Sequence, residues 1–154
     1  MIGTGYVGLV SGACFSDLGN DVICVDSDIK KINKLKRGII PIYEPGLEEL
    51  VLKNYKNGKL NFSTNLKESV SKSDIIFICV GTPTKKNGNA ADLSQVYKVT
   101  KELRSSISKF KIIITKSTVP VTTGDEIEKI LSQKKPKNFF SVVSNPEFLR
   151  EGEA

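Results

Sequence analysis

Residues 1–12 read MIGTGYVGLVSG, and the expected architecture follows from this segment. Gly3, Gly5 and Gly8 stand at Gly-x-Gly-x-x-Gly spacing before an apolar run that is compatible with a helix. In such a turn the first glycine permits a tight bend, the second lets a pyrophosphate approach the backbone, and the third lets the helix pack closely on a sheet. The helix start offers free N–H groups and a positive dipole end to an anion. The segment therefore predicts a dinucleotide site, although this spacing alone also arises by chance in plain turns.

Only Met1 and Ile2 precede the glycine turn. A first strand in this kind of fold usually has about five or six residues. We therefore expect a truncated first strand. It is followed by a helix over residues 6–18 that ends at Gly19 and Asn20.

Residues 21–26 (DVICVD) predict a buried parallel strand that ends in a carboxylate. Asp26 lies 18 positions after Gly8, close to the spacing of about 20 expected for the acid that binds the adenosine ribose hydroxyls. A carboxylate would repel a 2′-phosphate, so Asp26 favours NAD over NADP. The alternative is that Asp26 only caps the helix predicted over residues 28–36. Lys31 lies in that helix, and the composition of the helix indicates that Lys31 is a solvated surface lysine.

Strands and helices alternate along the rest of the chain. Apolar runs predict strands over residues 60–63, 74–80, 111–115 and 139–144, and helical patterns fall over residues 46–53, 65–72, 93–107 and 122–133. This alternation predicts an α/β fold, a Rossmann-like doubly wound parallel sheet in one domain over residues 1–154. The segment before the helix at 46–53 either lies over a ligand cleft or is a simple crossover.

Two of the predicted strands end in turns rich in hydroxyl groups. Residues 81–84 (GTPT) follow one strand, and residues 116–120 (KSTVP) follow the next. Ligands of open parallel sheets bind beyond the carboxyl ends of the strands, so a cofactor is expected to pass these turns. Pro83 restricts the backbone beside Thr82, although a plain turn remains the alternative.

Composition limits the classes of function. The chain has 39% hydrophobic and 26% charged residues and a net charge of +6, mostly from scattered lysines, which indicates a solvated surface rather than a nucleic-acid interface. No apolar run approaches a membrane span, and a cytoplasmic location is the default. The absence of histidine removes the commonest metal ligand, and no metal site is expected. Cys14, Cys24 and Cys79 stand in apolar segments, which suits reduced core thiols.

Five segments resemble the NAD-binding domain of the UDP-glucose/GDP-mannose dehydrogenase family: GTGYVGLVSG, PIYEPGLEEL, ICVGTPT, TKSTVPVTTG and SNPEFLREG. They stand in family order and span nearly the whole chain. The resemblance implies NAD as cofactor, with Asp26 on the adenosine ribose and Lys31 beside it. The implied cofactor-binding residues are Gly3, Gly5, Tyr6, Val7, Gly8, Asp26, Lys31, Thr82, Ser117, Thr118 and Glu151.

The resemblance also implies a reaction. In the family, the C6 alcohol of a nucleotide sugar such as UDP-glucose is oxidised to the carboxylate by two NAD molecules, through a thioester on a cysteine of a C-terminal domain. Glu147 and Thr118 would assist the proton and water steps. The implied substrate-binding residues are Glu147, Phe148, Leu149, Arg150 and Glu151.

None of the three cysteines here stands in the family's nucleophile motif, and the central dimerisation helix has no counterpart. We therefore expect an NAD-binding fragment of a homodimeric enzyme, a fragment that is inactive and monomeric on its own. A GDP-mannose or UDP-acetylhexosamine dehydrogenase and a non-catalytic dinucleotide-binding module are the alternatives. Neither nucleic acid nor a membrane is an expected partner.

Overall fold

A computed structural model describes residues 1–85, 88, 90–150 and 152. Its helices are α1 (Tyr6–Asp17), α2 (Ile29–Lys36), α3 (Leu47–Lys56), α4 (Leu66–Lys72), α5 (Ser94–Ser106) and α6 (Thr123–Ser132). Its strands are β1 (Val22–Val25), β2 (Leu60–Ser63), β3 (Ile75–Ile78), β4 (Lys111–Thr115) and β5 (Phe140–Ser144), the last preceded by a 3-10 turn at Lys137–Phe139. Every predicted strand and helix forms, with ends that differ by a few residues at most.

The strands pair in parallel in two groups, which the start of the chain joins. β1 pairs with β2, and β4 lies between β3 and β5. Ile2 forms parallel bridges to both Val25 and Ile78. The order across the molecule is therefore β2, β1, Ile2, β3, β4, β5. This is the doubly wound arrangement, which confirms the predicted fold class.

The reduced first strand is held by main-chain hydrogen bonds on both sides. They join Ile2 N to Phe77 O (2.8 Å), Cys79 N to Ile2 O (2.8 Å), Gly3 N to Val25 O (2.7 Å) and Val25 N to Met1 O (2.8 Å). These bonds lie directly before the glycine turn and hold it between the halves of the sheet.

Two hydrophobic clusters follow the two groups of strands. One packs α1, α2 and α3 on β1 and β2, and the other packs α4, α5 and α6 on β3, β4 and β5. Ile2 belongs to the second cluster, while Met1 packs against the first. The core therefore continues across the short first strand.

Two expectations about burial need correction. Cys14 is exposed rather than part of the core, because α1 turns it away from the sheet. β3 is central as predicted, yet Ile75 is 51% exposed. It lines a cavity of about 480 Å³ together with Met1 and Ile23.

No described helix combines the length and the apolar character that crossing a bilayer requires.

Candidate functional site

The three glycines of the opening turn have different structural roles. Gly3 has φ +100°, and a Cβ there would lie 2.7 Å from Cys79 O. A Cβ on Gly8 would lie 1.9 Å from Gly3 O, so neither position accepts a side chain. A Cβ on Gly5 would meet nothing within 4 Å. The backbone at Gly5 is therefore open to a ligand at the start of α1, where the first helical N–H groups have no partner within the helix.

A cavity of about 290 Å³ lies beside this turn, at the carboxyl ends of β1 and β3. Gly3, Gly5, Asp26 and Lys31 contribute to its wall. The opposite wall comes from α5, with Gln95, Lys98, Val99 and Glu102. This is the place where ligands of doubly wound sheets bind.

Asp26 is held by hydrogen bonds to both carboxylate oxygens. Its Oδ2 accepts from Thr4 N (3.0 Å), Thr4 Oγ1 (2.7 Å) and Lys31 Nζ (3.0 Å), and its Oδ1 accepts from Asp28 N (3.0 Å). Burial by itself raises the pKa of Asp26, but the hydrogen bonds from Thr4, Asp28 and Lys31 outweigh it and lower that pKa to about 2. The group is therefore an oriented carboxylate at neutral pH, with acceptor capacity left on Oδ1.

The helix cap is a different residue. Asp28 is the N-cap of α2, and its Oδ1 accepts from Lys30 N and Lys31 N. Asp26 is thus not the cap of α2, and the alternative interpretation of this carboxylate as a helix cap is wrong. Lys31 is not simply solvated either, because its ammonium group pairs with Asp26.

The hydroxyl-rich turns after β3 and β4 contact each other. Thr82 Oγ1 donates to Thr118 O (2.9 Å), which ties the two strand ends together, and the Thr118 side chain is exposed. Ser117 is buried, and its Oγ donates toward the end of β3, at Val80 O (2.6 Å) and Ile78 O (3.3 Å). The hydroxyl of Ser117 therefore points into the sheet, whereas Thr118 remains accessible.

Glu147 lies beyond the end of β5, against the lysine that follows β4. Lys116 Nζ is 3.0 Å from Glu147 Oε2, and the side chains are only 14% and 10% exposed. Glu147 Oε1 accepts from Phe148 N (2.7 Å) and Leu149 N (2.6 Å). Burial raises the pKa of Glu147, but the Lys116 ammonium and the two amide donors outweigh it, so the pKa lies below its usual value. Glu147 is therefore ionised and able to accept a proton.

Tyr6 and Val7 are half-buried at the start of α1, and the Tyr6 hydroxyl reaches two other segments. Tyr6 Oη donates to Glu44 Oε2 (2.6 Å) and lies 3.0 Å from Arg150 O. Glu44 comes from the loop between α2 and α3, so this loop reaches the start of α1, but its residues do not line the cavity beside the glycine turn.

The predicted substrate segment is mostly exposed. Phe148 is 88% exposed and Leu149 is 40% exposed. Arg150 is also exposed, while Glu151 lies outside the described residues. The structure thus brings the predicted residues that it describes to one edge of the sheet. They form two groups, which we name after their expected ligands: the adenosine end at Asp26 and the sugar end at Glu147.

Three residues of this edge were not predicted from the sequence: Thr4, Lys116 and Glu44. Each residue stands inside one of the five segments that resemble the family. Its position there is the one sequence signal that could have identified it as part of the site. Their partners Asp26, Glu147 and Tyr6 lie 22 or more positions away in the sequence, so spacing along the chain does not reveal the contacts.

The cysteines are poorly suited to nucleophilic chemistry. Burial raises the pKa of Cys24 to about 11 and that of Cys79 to about 12. Burial and the nearby Asp17 carboxylate also raise the pKa of the exposed Cys14. All three are therefore thiols at neutral pH. Among the described residues, no group of three or more acidic or cysteine side chains is arranged to hold a metal ion.

Comparison with known proteins gives a consistent result. The chain is 55% identical over its whole length to the UDP-glucose 6-dehydrogenase of Rhizobium meliloti (strain 1021), of which it covers 35%. Its structure matches a UDP-glucose dehydrogenase from Pyrobaculum islandicum with a TM-score of 0.93 and 37% identity, covering 99% of this chain and 36% of that one. It also matches GDP-mannose dehydrogenase from Pseudomonas aeruginosa, crystallised as a ternary complex, with a TM-score of 0.90 and 41% identity, covering 98% of this chain and 36% of that one.

The chain thus spans about a third of the length of these relatives. The sequence pattern of the UDP-glucose/GDP-mannose dehydrogenase family, NAD binding domain, matches residues 1–154. The open turn at Gly5 and the ionised Asp26 fit NAD as the cofactor. The chain therefore belongs to the UDP-glucose/GDP-mannose dehydrogenase family, as its NAD-binding domain.

Proposed function

We propose that this chain is the NAD-binding part of a UDP-glucose 6-dehydrogenase, an enzyme that oxidises the C6 alcohol of UDP-glucose to the carboxylate of UDP-glucuronate. The observation that carries the proposal is the Asp26 carboxylate, held ionised beside the open backbone of Gly5 in one cavity. The names of the relatives support the choice of sugar nucleotide.

The chain's own residues would hold the cofactor along the sheet edge. NAD, when bound, accepts the hydride that leaves the sugar alcohol. The amides of the glycine turn, from Gly3 to Gly8, would bind its pyrophosphate, and Tyr6 and Val7 would lie against it. Asp26 would accept hydrogen bonds from the adenosine ribose, with Lys31 beside it. Thr82 and Thr118 would contact the nicotinamide half, and the buried Ser117 would support this turn through its hydrogen bonds to the end of β3.

Oxidation of an alcohol also requires that its hydroxyl proton leave. Glu147 is ionised and adjoins the same strand ends, so it would accept a proton directly or through water, with the exposed Thr118 hydroxyl to orient that water. Lys116 would keep Glu147 charged. The sugar nucleotide would contact Glu147, Phe148, Leu149, Arg150 and Glu151.

Location and assembly are further parts of the proposal. Three free thiols suit the reducing cytoplasm. We expect the complete gene product to form a homodimer. Sedimentation equilibrium, which measures molecular mass in solution, would test this expectation.

The cofactor assignment is tested by calorimetric titration of the chain with NAD and with NADP. NAD is expected to bind more tightly. Asp26→Asn should weaken NAD binding by about 10-fold or more, because hydrogen bonds to a charged group contribute roughly 1.5–3 kcal/mol. Asp21→Asn is the matched control, since Asp21 is an exposed carboxylate at the other end of β1. Preference for NADP, or equal losses in both variants, would contradict the role of Asp26.

The reaction is tested with the complete gene product. NADH formation should follow addition of UDP-glucose, with GDP-mannose as the competing candidate, and two NADH should form per sugar. Glu147→Gln should lower kcat far more than it changes the affinity for NAD. If NADH forms with GDP-mannose but not with UDP-glucose, the assignment of UDP-glucose as substrate is wrong and GDP-mannose takes its place.

A further inference from the structure

Glu44 joins three segments that are far apart in the sequence. It lies in the loop between α2 and α3, within the recognised segment PIYEPGLEEL, and no functional role follows from that pattern. Its side chain is buried, with 7% of the residue exposed. Its Oε2 accepts from Tyr6 Oη at 2.6 Å and from Gly152 N at 2.7 Å. One carboxylate oxygen thus connects the start of α1 with the end of the predicted substrate segment.

The Tyr6 hydroxyl makes a second connection between the same parts. Its Oη lies 3.0 Å from Arg150 O as well as 2.6 Å from Glu44 Oε2. The shorter distance is typical of an O–H group that donates to a carboxylate, and such bonds are about twice as strong as neutral ones. Tyr6 and Glu44 together therefore hold the backbone of the segment at two points, Arg150 and Gly152.

The loop that carries Glu44 is itself fixed. Glu44 O accepts from Leu47 N (3.1 Å) at the start of α3, and Gly46 has φ +77°. Leu47 is buried in the hydrophobic cluster that also contains Leu9 of α1. Because this packing sets the position of the Glu44 backbone, the carboxylate is a rigid support for the Tyr6 hydroxyl and the Gly152 amide.

The location of Tyr6 gives these contacts a consequence for binding. Tyr6 directly follows Gly5, where the backbone is open toward the expected pyrophosphate. The turn is fixed without a ligand, but the Tyr6 side chain beside it is only half-buried. A ligand that packs against Tyr6 would restrict this side chain and, through its bond to Glu44, the segment that ends at Gly152. By thermodynamic linkage, a ligand on the segment would strengthen binding at the turn by the same factor.

We propose that Glu44 is a positioning residue that couples NAD binding at the glycine turn to the order of the backbone at Arg150 and Gly152. The proposal rests on the proposed function, because that function assigns the residues just before Gly152, from Glu147 to Glu151, to the sugar nucleotide. It adds a role for Glu44, which acts through its contacts with Tyr6 and Gly152.

The test follows the Gly152 amide by NMR in the whole chain, with and without NAD. In the wild type, we expect NAD to slow hydrogen exchange at this amide by roughly 5-fold or more, the lower range of typical coupling between sites. In Glu44→Gln, the amide should exchange faster without NAD, and NAD should no longer slow it, although NAD still binds. Glu48→Gln, an exposed glutamate on α3 with the same change of charge, should behave like the wild type.

Tyr6→Phe provides a second variant that keeps the bond from Gly152 to Glu44. Here the amide should stay protected without NAD, but the additional protection by NAD should be lost. This variant decides the question if Glu44→Gln fails to fold. Equal slowing by NAD in wild type and Tyr6→Phe, or in wild type and a folded Glu44→Gln, would overturn the coupling. Absence of NAD binding to the wild type would instead overturn the proposed function, and the coupling with it.

Discussion

The two ends of the candidate site are built in different ways. At the adenosine end, Asp26 is held by Thr4, Asp28 and Lys31, all from the first 31 residues, and its cavity is formed by the sheet and its helices. At the sugar end, Glu147 is held by its own segment and by one lysine from another strand end.

The apolar side chains of the two ends differ as well. Ile2 and Val25 beside Asp26 are buried, whereas Phe148 beside Glu147 is 88% exposed. A side chain that is surrounded by a packed core keeps its geometry without a ligand. The conformation of a segment that buries little apolar surface depends instead on a few specific contacts. The adenosine end should therefore bind on its own, and the sugar end should require additional contacts to become fully ordered.

The largest effect is expected from Gly8→Ala, because this change disrupts the close packing of the glycine turn at the adenosine end. The new Cβ would lie 1.9 Å from Gly3 O, a backbone atom that has little room to move. We expect a loss of about 3 kcal/mol or more in the free energy of unfolding, corresponding to roughly 10 °C in Tm. Gly5→Ala is the control, because its Cβ meets open space, and it should keep the Tm while weakening NAD binding. Equal Tm values for the two variants would show that the turn is not rigid.

The next largest effect is expected from Lys116→Met at the sugar end. Loss of the ammonium leaves a mostly buried Glu147 with two amide donors, so we expect a loss of about 2 kcal/mol, less than for a fully buried pair. The pKa of Glu147 should rise, which a carboxyl carbon-13 titration measures. Lys109→Met removes an exposed pair with Asp74 and should change stability by less than about 1 kcal/mol. An unchanged titration of Glu147 in Lys116→Met would contradict the control of this carboxylate by Lys116.

A smaller effect on the free energy of unfolding is expected from Asp26→Asn, and its pH dependence falls in the acidic range. Its pKa is lowered from 3.8 to about 2, so its ionised form stabilises the folded state above about pH 4, and this contribution is lost as the pH falls through 2. The wild type should exceed Asp26→Asn by about 1–2 kcal/mol at neutral pH, and the difference should shrink between pH 4 and pH 2. Urea unfolding at several pH values measures both. A difference that does not change with pH would show that the carboxylate charge is not responsible.

The smallest effect on the isolated chain is expected from Phe148→Ser. An exposed side chain contributes little to stability, so the free energy of unfolding should change by less than about 0.5 kcal/mol and NAD affinity should stay the same. In the complete gene product the same change should raise the KM for UDP-glucose. A large loss of stability in the chain would mean that the sugar end is packed more firmly than its exposure indicates.

The sequence predicted the elements of the fold well because their signals are local. The glycine spacing, the apolar runs and the carboxylate after the strand at 21–26 each lie within a few residues, and the strands and helices form where these patterns predict them. The exposed Cys14 and Ile75 were not anticipated, because burial depends on what packs against a residue from elsewhere in the chain.

The sequence by itself determined the parallel α/β fold, the glycine turn and the family. It also placed Asp26, Lys31, Thr82, Thr118 and Glu147 in the expected site, and their functional roles stay predictions. Only the tertiary structure decided that Ile2 joins the halves of the sheet, and that Asp28 rather than Asp26 caps α2. It also decided that Lys116 faces Glu147 and that Glu44 joins Tyr6 to Gly152. The cap of α2 is local, and its identity depends on the exact position at which the helix begins. The other contacts link positions up to 108 residues apart, and their geometry exists only after the sheet has brought the strand ends together.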